Sequence, residues 1–284
     1  MAPPVANPRG GQSASPAVWK LLRLYWEFGR VGFVNTLAYR LRYFTGIITY
    51  FIYVSVYYFI WKAIYEHSAS IEGFDFAHLL TYVGVGWIIR SFYFNSIDQE
   101  LAYQVTEGRL AMDLIKPVNI QMMYVARAAG ESIFRLGLLT IPTALVLFLV
   151  YPLRPPASAW HAGAFLLSVV LSFFIVAAIN FAVGTFALRL QSILGLLRAK
   201  FFLLELFSGL LLPISFFPEA FQKVFKLLPF EYISYVPMLI YLGKLNGRGL
   251  LFAIGWQVFW VAALLAAGDA LWRWSSRKVI IQGG

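Results

Sequence analysis

Six apolar stretches, each close to the length of one helical crossing of a bilayer, constrain this chain more than any other feature. They run Tyr43–Trp61, Phe76–Ile97, Ile133–Tyr151, Trp160–Leu188, Phe201–Phe217 and Leu250–Leu271. Crossing about 30 Å of hydrocarbon takes roughly 20 helical residues. The fourth stretch exceeds that length, so it is expected to tilt or to extend past the bilayer. The expected fold is therefore an all-α polytopic membrane protein with six transmembrane helices in residues 43–276. At 60% hydrophobic and 13% charged over 284 residues, the chain has too little polar surface for a soluble domain of this size.

Basic residues give the orientation. Arg9, Lys20, Arg23, Arg30, Arg40 and Arg42 precede the first span, Arg273, Arg277 and Lys278 follow the last, and Arg189, Arg198 and Lys200 lie between the fourth and fifth. Acidic Glu66, Glu72 and Asp75 separate the first two spans. The positive-inside rule then puts both termini in the cytoplasm, as in a multi-pass protein of the plasma (inner) membrane. The net charge of +10 sits at span ends rather than on a basic face with interleaved aromatics, which argues against a nucleic-acid partner. With no cysteine, the chain has no disulfide, thiolate metal site or cysteine nucleophile.

The flanking segments read differently. Residues 1–16 are rich in Pro, Gly, Ser and Ala and are expected to form a disordered cytoplasmic tail. Residues 17–42 read as an interfacial helix, because Lys20, Arg23, Glu27 and Arg30 share one face while Trp19, Leu22, Tyr25, Trp26 and Phe33 cover the rest. Residues 277–284 form a cytoplasmic C-terminal tail. Before the last span, Glu219, Gln222, Lys223 and Lys226 oppose Phe221, Val224, Phe225 and Leu228 on a short helix ended by Pro229, and the apolar run after it is about half a crossing. Residues 218–242 are therefore expected to form an extracellular re-entrant helical hairpin.

One polar connection carries helical periodicity. In residues 98–117, charged Asp98, Glu100, Glu107, Arg109, Asp113 and Lys116 alternate with Leu101, Val105, Leu110, Leu114 and Ile115. Ordered polar structure between spans suggests a docking surface for a soluble partner, with Glu107 and Arg109 on that surface, Gly108 at the turn between two short helices and Asp113 near the edge. Arg90 and Glu205, at similar depths from the cytoplasmic ends of their spans, are candidates for an intramembrane charge pair. An unpaired charge there costs about 3 kcal/mol on insertion scales. The repeats Ala262/Ala266/Ala270 and Asn180/Gly184 mark faces where helices can approach closely. The aromatic run Tyr50–Phe59 reads as an interfacial belt in preference to a substrate lining.

Catalytic signals are weak. Gly243-Lys244 lacks the upstream glycine and following Ser or Thr of a phosphate-binding loop, so ATP hydrolysis cannot occur on this chain. His67, His78 and His161 form no recognisable ligand set. No catalytic, cofactor-binding or metal residue is assigned.

The order of interfacial helix, six spans, EGRLAMDLIKPVN (107–119) after span two, SGLLLPISFFPEAF (208–221), LPF (228–230), Pro237 and the basic end RKVIIQGG (277–284) resembles ABC-2 type transporter permeases, nearest their six-span branch. That resemblance implies a non-enzymatic permease subunit paired with a second permease, identical or paralogous, and with two copies of a P-loop ATPase subunit that carries ATP and magnesium. It also implies ATP-driven export of an amphipathic or hydrophobic substrate: a drug, lipid, peptide or glycan-lipid. The alternatives are a membrane-embedded lipid-modifying enzyme, which would need convergent ionisable groups at one membrane face, and a non-transporting assembly subunit.

Overall fold

The computed structural model describes residues 15–37, 41–190 and 193–277. Most of the two tails, and Arg9, Arg40 and Lys278, lie outside the described residues. The chain forms helices α1 (Ser15–Leu37), α2 (Leu41–Tyr65), α3 (Phe76–Tyr93), α4 (Ile97–Thr106), α5 (Leu110–Leu114) and α6 (Ile120–Arg135). A π-helical turn at Leu136–Thr140 joins α6 to α7 (Ile141–Val150). There follow α8 (Ala159–Thr185), α9 (Leu194–Phe207), α10 (Glu219–Lys226), α11 (Tyr235–Tyr241) and α12 (Gly247–Ser276). Among the described residues the sole extended pairing is an isolated bridge between Ile71 and Phe74.

Among the described residues, four helical stretches are long and apolar enough to cross a membrane: Tyr43–Tyr65, Ile120–Val150, Ala159–Leu188 and Gly247–Ser276. The molecule is thus an all-α polytopic membrane protein. α8 lies at its centre, packed against α3, α4, α6, α11 and α12. Lipid tails offer no hydrophobic drive for helix association, so close packing and interhelical hydrogen bonds hold such bundles together. Gln257 of α12 supplies several: it accepts from the Ser168 hydroxyl at 2.8 Å and donates to the carbonyls of Ser168 at 3.2 Å and Tyr232 at 2.8 Å.

Three expected spans differ in their ends. The second stops at Tyr93, and Phe94 takes an extended conformation before α4 begins. No proline or glycine forces this break; Arg135 donates to the Phe94 carbonyl and Asn180 to the Asn95 carbonyl, so side chains from other helices satisfy the freed backbone. The third starts earlier, at Ile120, where the Asn119 side chain caps the amide of Met122 at 2.9 Å. Its π turn precedes Pro142, which cannot donate into the helix. The fifth is a 14-residue helix, about 21 Å long. It ends before Gly209, whose φ of +77° takes the backbone out of the helix. Tyr82 donates to the Gly209 carbonyl and the Tyr235 amide to the Ser208 carbonyl at 2.9 Å.

Residues 218–242 do form two short helices, but α11 is a core element, with Met238 and Ile240 fully buried. α1 docks on α6 through glycines: a Cβ on Gly130 would lie 1.8 Å from the Gly29 carbonyl oxygen, and one on Gly32 would lie 2.1 Å from that of Arg127.

Candidate functional site

The connection after α3 is a braced helical hairpin. α4 lies directly on α8, so closely that a Cβ on Gly184 would come within 2.8 Å of the Asp98 Cα. The Asn180/Gly184 face is therefore an internal contact. At the far end of α4, Gly108 turns the chain with φ +68° and nothing within 4 Å of its missing side chain, so backbone conformation alone favours glycine. Leu110 anchors α5 from beneath.

Glu107, Gly108 and Arg109 are exposed at this turn. Asp113, expected near the edge of the surface, instead points inward. It accepts from Lys116 Nζ at 2.5 Å, Tyr124 Oη at 3.0 Å and Arg127 Nη2 at 3.4 Å. Burial pushes its carboxyl up, but the Lys116 hydrogen bond and the Arg127 charge outweigh that and hold it below the ordinary range. Arg127 Nη1 also donates to Glu100 at 3.3 Å. There burial prevails and raises the Glu100 carboxyl. Asp113 thus braces α5 against α6, while Tyr103, Met112, Leu114 and Ile115 around it stay exposed, at 51%, 65%, 41% and 75%. Arg109 lies 5.8 Å over the Tyr103 ring. Four large apolar side chains on a segment otherwise rich in charge make a patch suited to a partner.

Beneath the hairpin lies a polar cluster that sequence reasoning did not assemble. Asp98 is fully buried and accepts from Lys200 Nζ of α9 at 2.5 Å. Lys200 donates further to Asn180 Oδ1 at 2.8 Å, and Asn180 Nδ2 to Asn95 Oδ1 at 3.0 Å. In the sequence Lys200 reads as one more cytoplasmic charge between spans, and Asp98, at the start of an amphipathic helix, carries no sign that it faces inward.

Within the bundle, a cleft of about 830 Å³ opens between α2, α3, α6 and α9, with Gln99 of α4 at its edge. Arg90 Nε donates to Glu205 Oε1 at 2.8 Å, Nη2 reaches the same oxygen, and Nη1 donates to Tyr50 at 3.2 Å. The structure thus brings Arg90 and Glu205 together on the cleft wall. Trp87 stacks on Tyr53 with centroids 4.6 Å apart and 6° between planes, and Arg90 lies 5.3 Å over the same indole. The aromatic run of the first span divides: Tyr50, Tyr53 and Tyr57 line the cleft, whereas Phe51 and Tyr58 pack against Tyr151.

Two of the histidines and the lysine of the Gly-Lys pair have local structural partners. His78 contacts Asp75 and Arg154, and His161 contacts Ser158 and Asn246. Lys244 of the Gly-Lys pair donates to the Gly73 carbonyl at 2.6 Å, tying α11 to the loop after α2.

No curated protein and no solved structure matches the chain. The family model described as "ABC-2 family transporter protein" matches residues 51–283. That match takes in the hairpin, most of the cleft lining and the bundle from within α2 to the C-terminal tail, and on it the chain belongs to the ABC-2 transporter family of membrane permeases.

Proposed function

We propose that the chain is the permease subunit of an ATP-driven exporter whose motor docks on α4 and α5, and whose cleft receives the polar part of an amphipathic substrate. Family membership implies an ABC ATPase partner. The observation that carries the docking site is the exposed patch of Tyr103, Met112, Leu114 and Ile115 around Glu107 and Arg109, on a hairpin that internal ion pairs brace. Force from a soluble motor needs a stiff point of entry, and this segment has one.

In this reading α3, and α9 together with the chain through Phe217, complete six crossings. Residues 218–242 then form a re-entrant hairpin at the outer side, and both termini are cytoplasmic. Two ATPase copies, each with ATP and magnesium, serve a pair of permeases, identical or paralogous, in the plasma membrane. The cleft suits an amphipath because Arg90, Glu205 and three tyrosines share it with Val56, Ile60 and Leu211.

Copurification tests the docking site. M112D/I115D, and separately E107R/R109E, leave folding and insertion intact, since exposed charges contribute about 0–1 kcal/mol each. Either variant is expected to lose most of the ATPase recovered with the wild-type chain from its native host. Full recovery with both variants would remove the hairpin from the docking site.

A further inference from the structure

α9 is tied to α3, α4 and α8 by ion pairs and hydrogen bonds. It buries none of its 14 residues, and its apolar side chains Phe201, Phe202 and Leu203 stand 41–62% exposed. Its two ionic anchors lie at different levels: Lys200 binds Asp98 and Asn180, and Glu205 binds Arg90. Five residues apart on a helix, they are separated by about 7.5 Å along the axis and point about 140° apart. Between them runs a crevice of about 30 Å³, bordered by Arg90, Tyr93, Asn180, Lys200 and Glu205, with room for about one water. α9 therefore meets α3 and α8 across a gap bridged by charges. It is also a wall of the cleft, through Phe201 and Glu205.

The other end of the Lys200 anchor is the first turn of α4. Asp98 follows directly on the helix break at Phe94–Ser96, which separates α4 from α3. Both Asp98 and Lys200 are nearly free of solvent, with side-chain exposures of 1% and 10%, so the pair is little screened. Losing either partner would strand a buried charge.

We propose that Asp98 and Lys200 form the joint by which α4 positions α9, so that displacement of the docking hairpin is converted into a change in the width of the cleft. They are positioning residues: neither belongs to the docking patch, and neither lines the cleft. The proposal rests on the docking reading above and adds a path by which motion at the hairpin reaches the substrate cleft.

The chain lacks cysteine, so spin labels can be placed at V56C on α2 and F202C on α9 without competing thiols. The labelled permease, diluted with unlabelled copies, is studied as the complex with its copurified ATPase, nucleotide-free and trapped with ATP and vanadate. In the wild-type background the α2–α9 distance distribution is expected to shift on trapping. D98N/K200M removes both charges together and leaves none stranded; it is expected to recover ATPase and keep its thermal stability, yet lose the shift. A purely structural pair would instead lower stability and leave the shift in place, and that result overturns the joint. A wild-type complex that forms without any shift also overturns it. If the double variant fails to fold, a second label pair in the otherwise wild-type chain, T106C on α4 and F202C on α9, decides: the joint keeps this distance fixed on trapping while the α2–α9 distance shifts, and an α4–α9 distance that changes overturns it. A wild-type chain that recovers no ATPase overturns the functional reading itself, and the joint with it.

Discussion

Arg90 shows how one residue can be essential to the bundle without any exposed role. Its guanidinium holds Glu205, touches Tyr50 and lies over Trp87 and the Phe94 and Phe201 rings, joining α2, α3 and α9 at one point. Removing one partner of a buried pair costs about 3–5 kcal/mol, because the other charge is left uncompensated. R90M is therefore expected to lower the unfolding temperature in detergent markedly, and R90M/E205Q to regain much of the loss. A double variant no more stable than R90M would show that the pair is not what Arg90 contributes. Asp113 makes a pH-dependent contribution. Its folded pKa is depressed, so its stabilisation is present above its unfolded value of 3.8 and lost as pH falls through the folded one. The gap in melting temperature between wild type and D113N should be full near neutrality and close below about pH 4. A gap unchanged by pH would contradict the ion-pair account.

At the scale of elements, glycine decides which helices meet. α1 has little apolar seam against α6, and Trp19 and Trp26 remain exposed at 72% and 69%. Close backbone approach, with Gly29 against Gly130 and Gly32 against Arg127, lets Phe33 pack edge-on against Phe134 with centroids 5.1 Å apart. A methyl group 1.8 Å from a carbonyl oxygen has nowhere to go, since the obstruction is backbone and not the tip of a flexible side chain. G130A should displace α1, and trypsin should then cut at Lys20, Arg23 and Arg30 several-fold faster than in wild type, while the rest of the bundle stays resistant. Unchanged cleavage kinetics would mean that α1 docks some other way.

For the molecule as a whole, topology is the testable quantity. Lys223 on α10 and Arg248 at the start of α12 are both exposed. If residues 218–242 enter and leave on one side, K223C and R248C will be labelled by an impermeant reagent from that same side in sealed vesicles. Labelling from opposite sides would turn α11 into part of a crossing and reverse the placement of the C-terminus.

The sequence by itself determined the helical membrane character, because apolar runs of crossing length are a local property that lipid leaves only a helix or a closed barrel to satisfy. It also located the hairpin, whose Gly108 and amphipathic period are written in neighbouring residues, and it singled out Arg90 and Glu205, since charges within apolar runs need a partner. Tertiary structure decided the rest. α3 breaks at Phe94 because Arg135 and Asn180, distant in sequence, satisfy the released carbonyls, and no local residue announces it. Asp113 turns inward because Arg127, Tyr124 and Lys116 surround it, although its spacing equally permits an outward position. Asp98 finds Lys200 across 102 residues, and three tyrosines of one aromatic run line the cleft while their neighbours pack away from it. Helical period fixes the face a residue occupies; only the packed neighbours fix whether that face meets lipid, water or another charge.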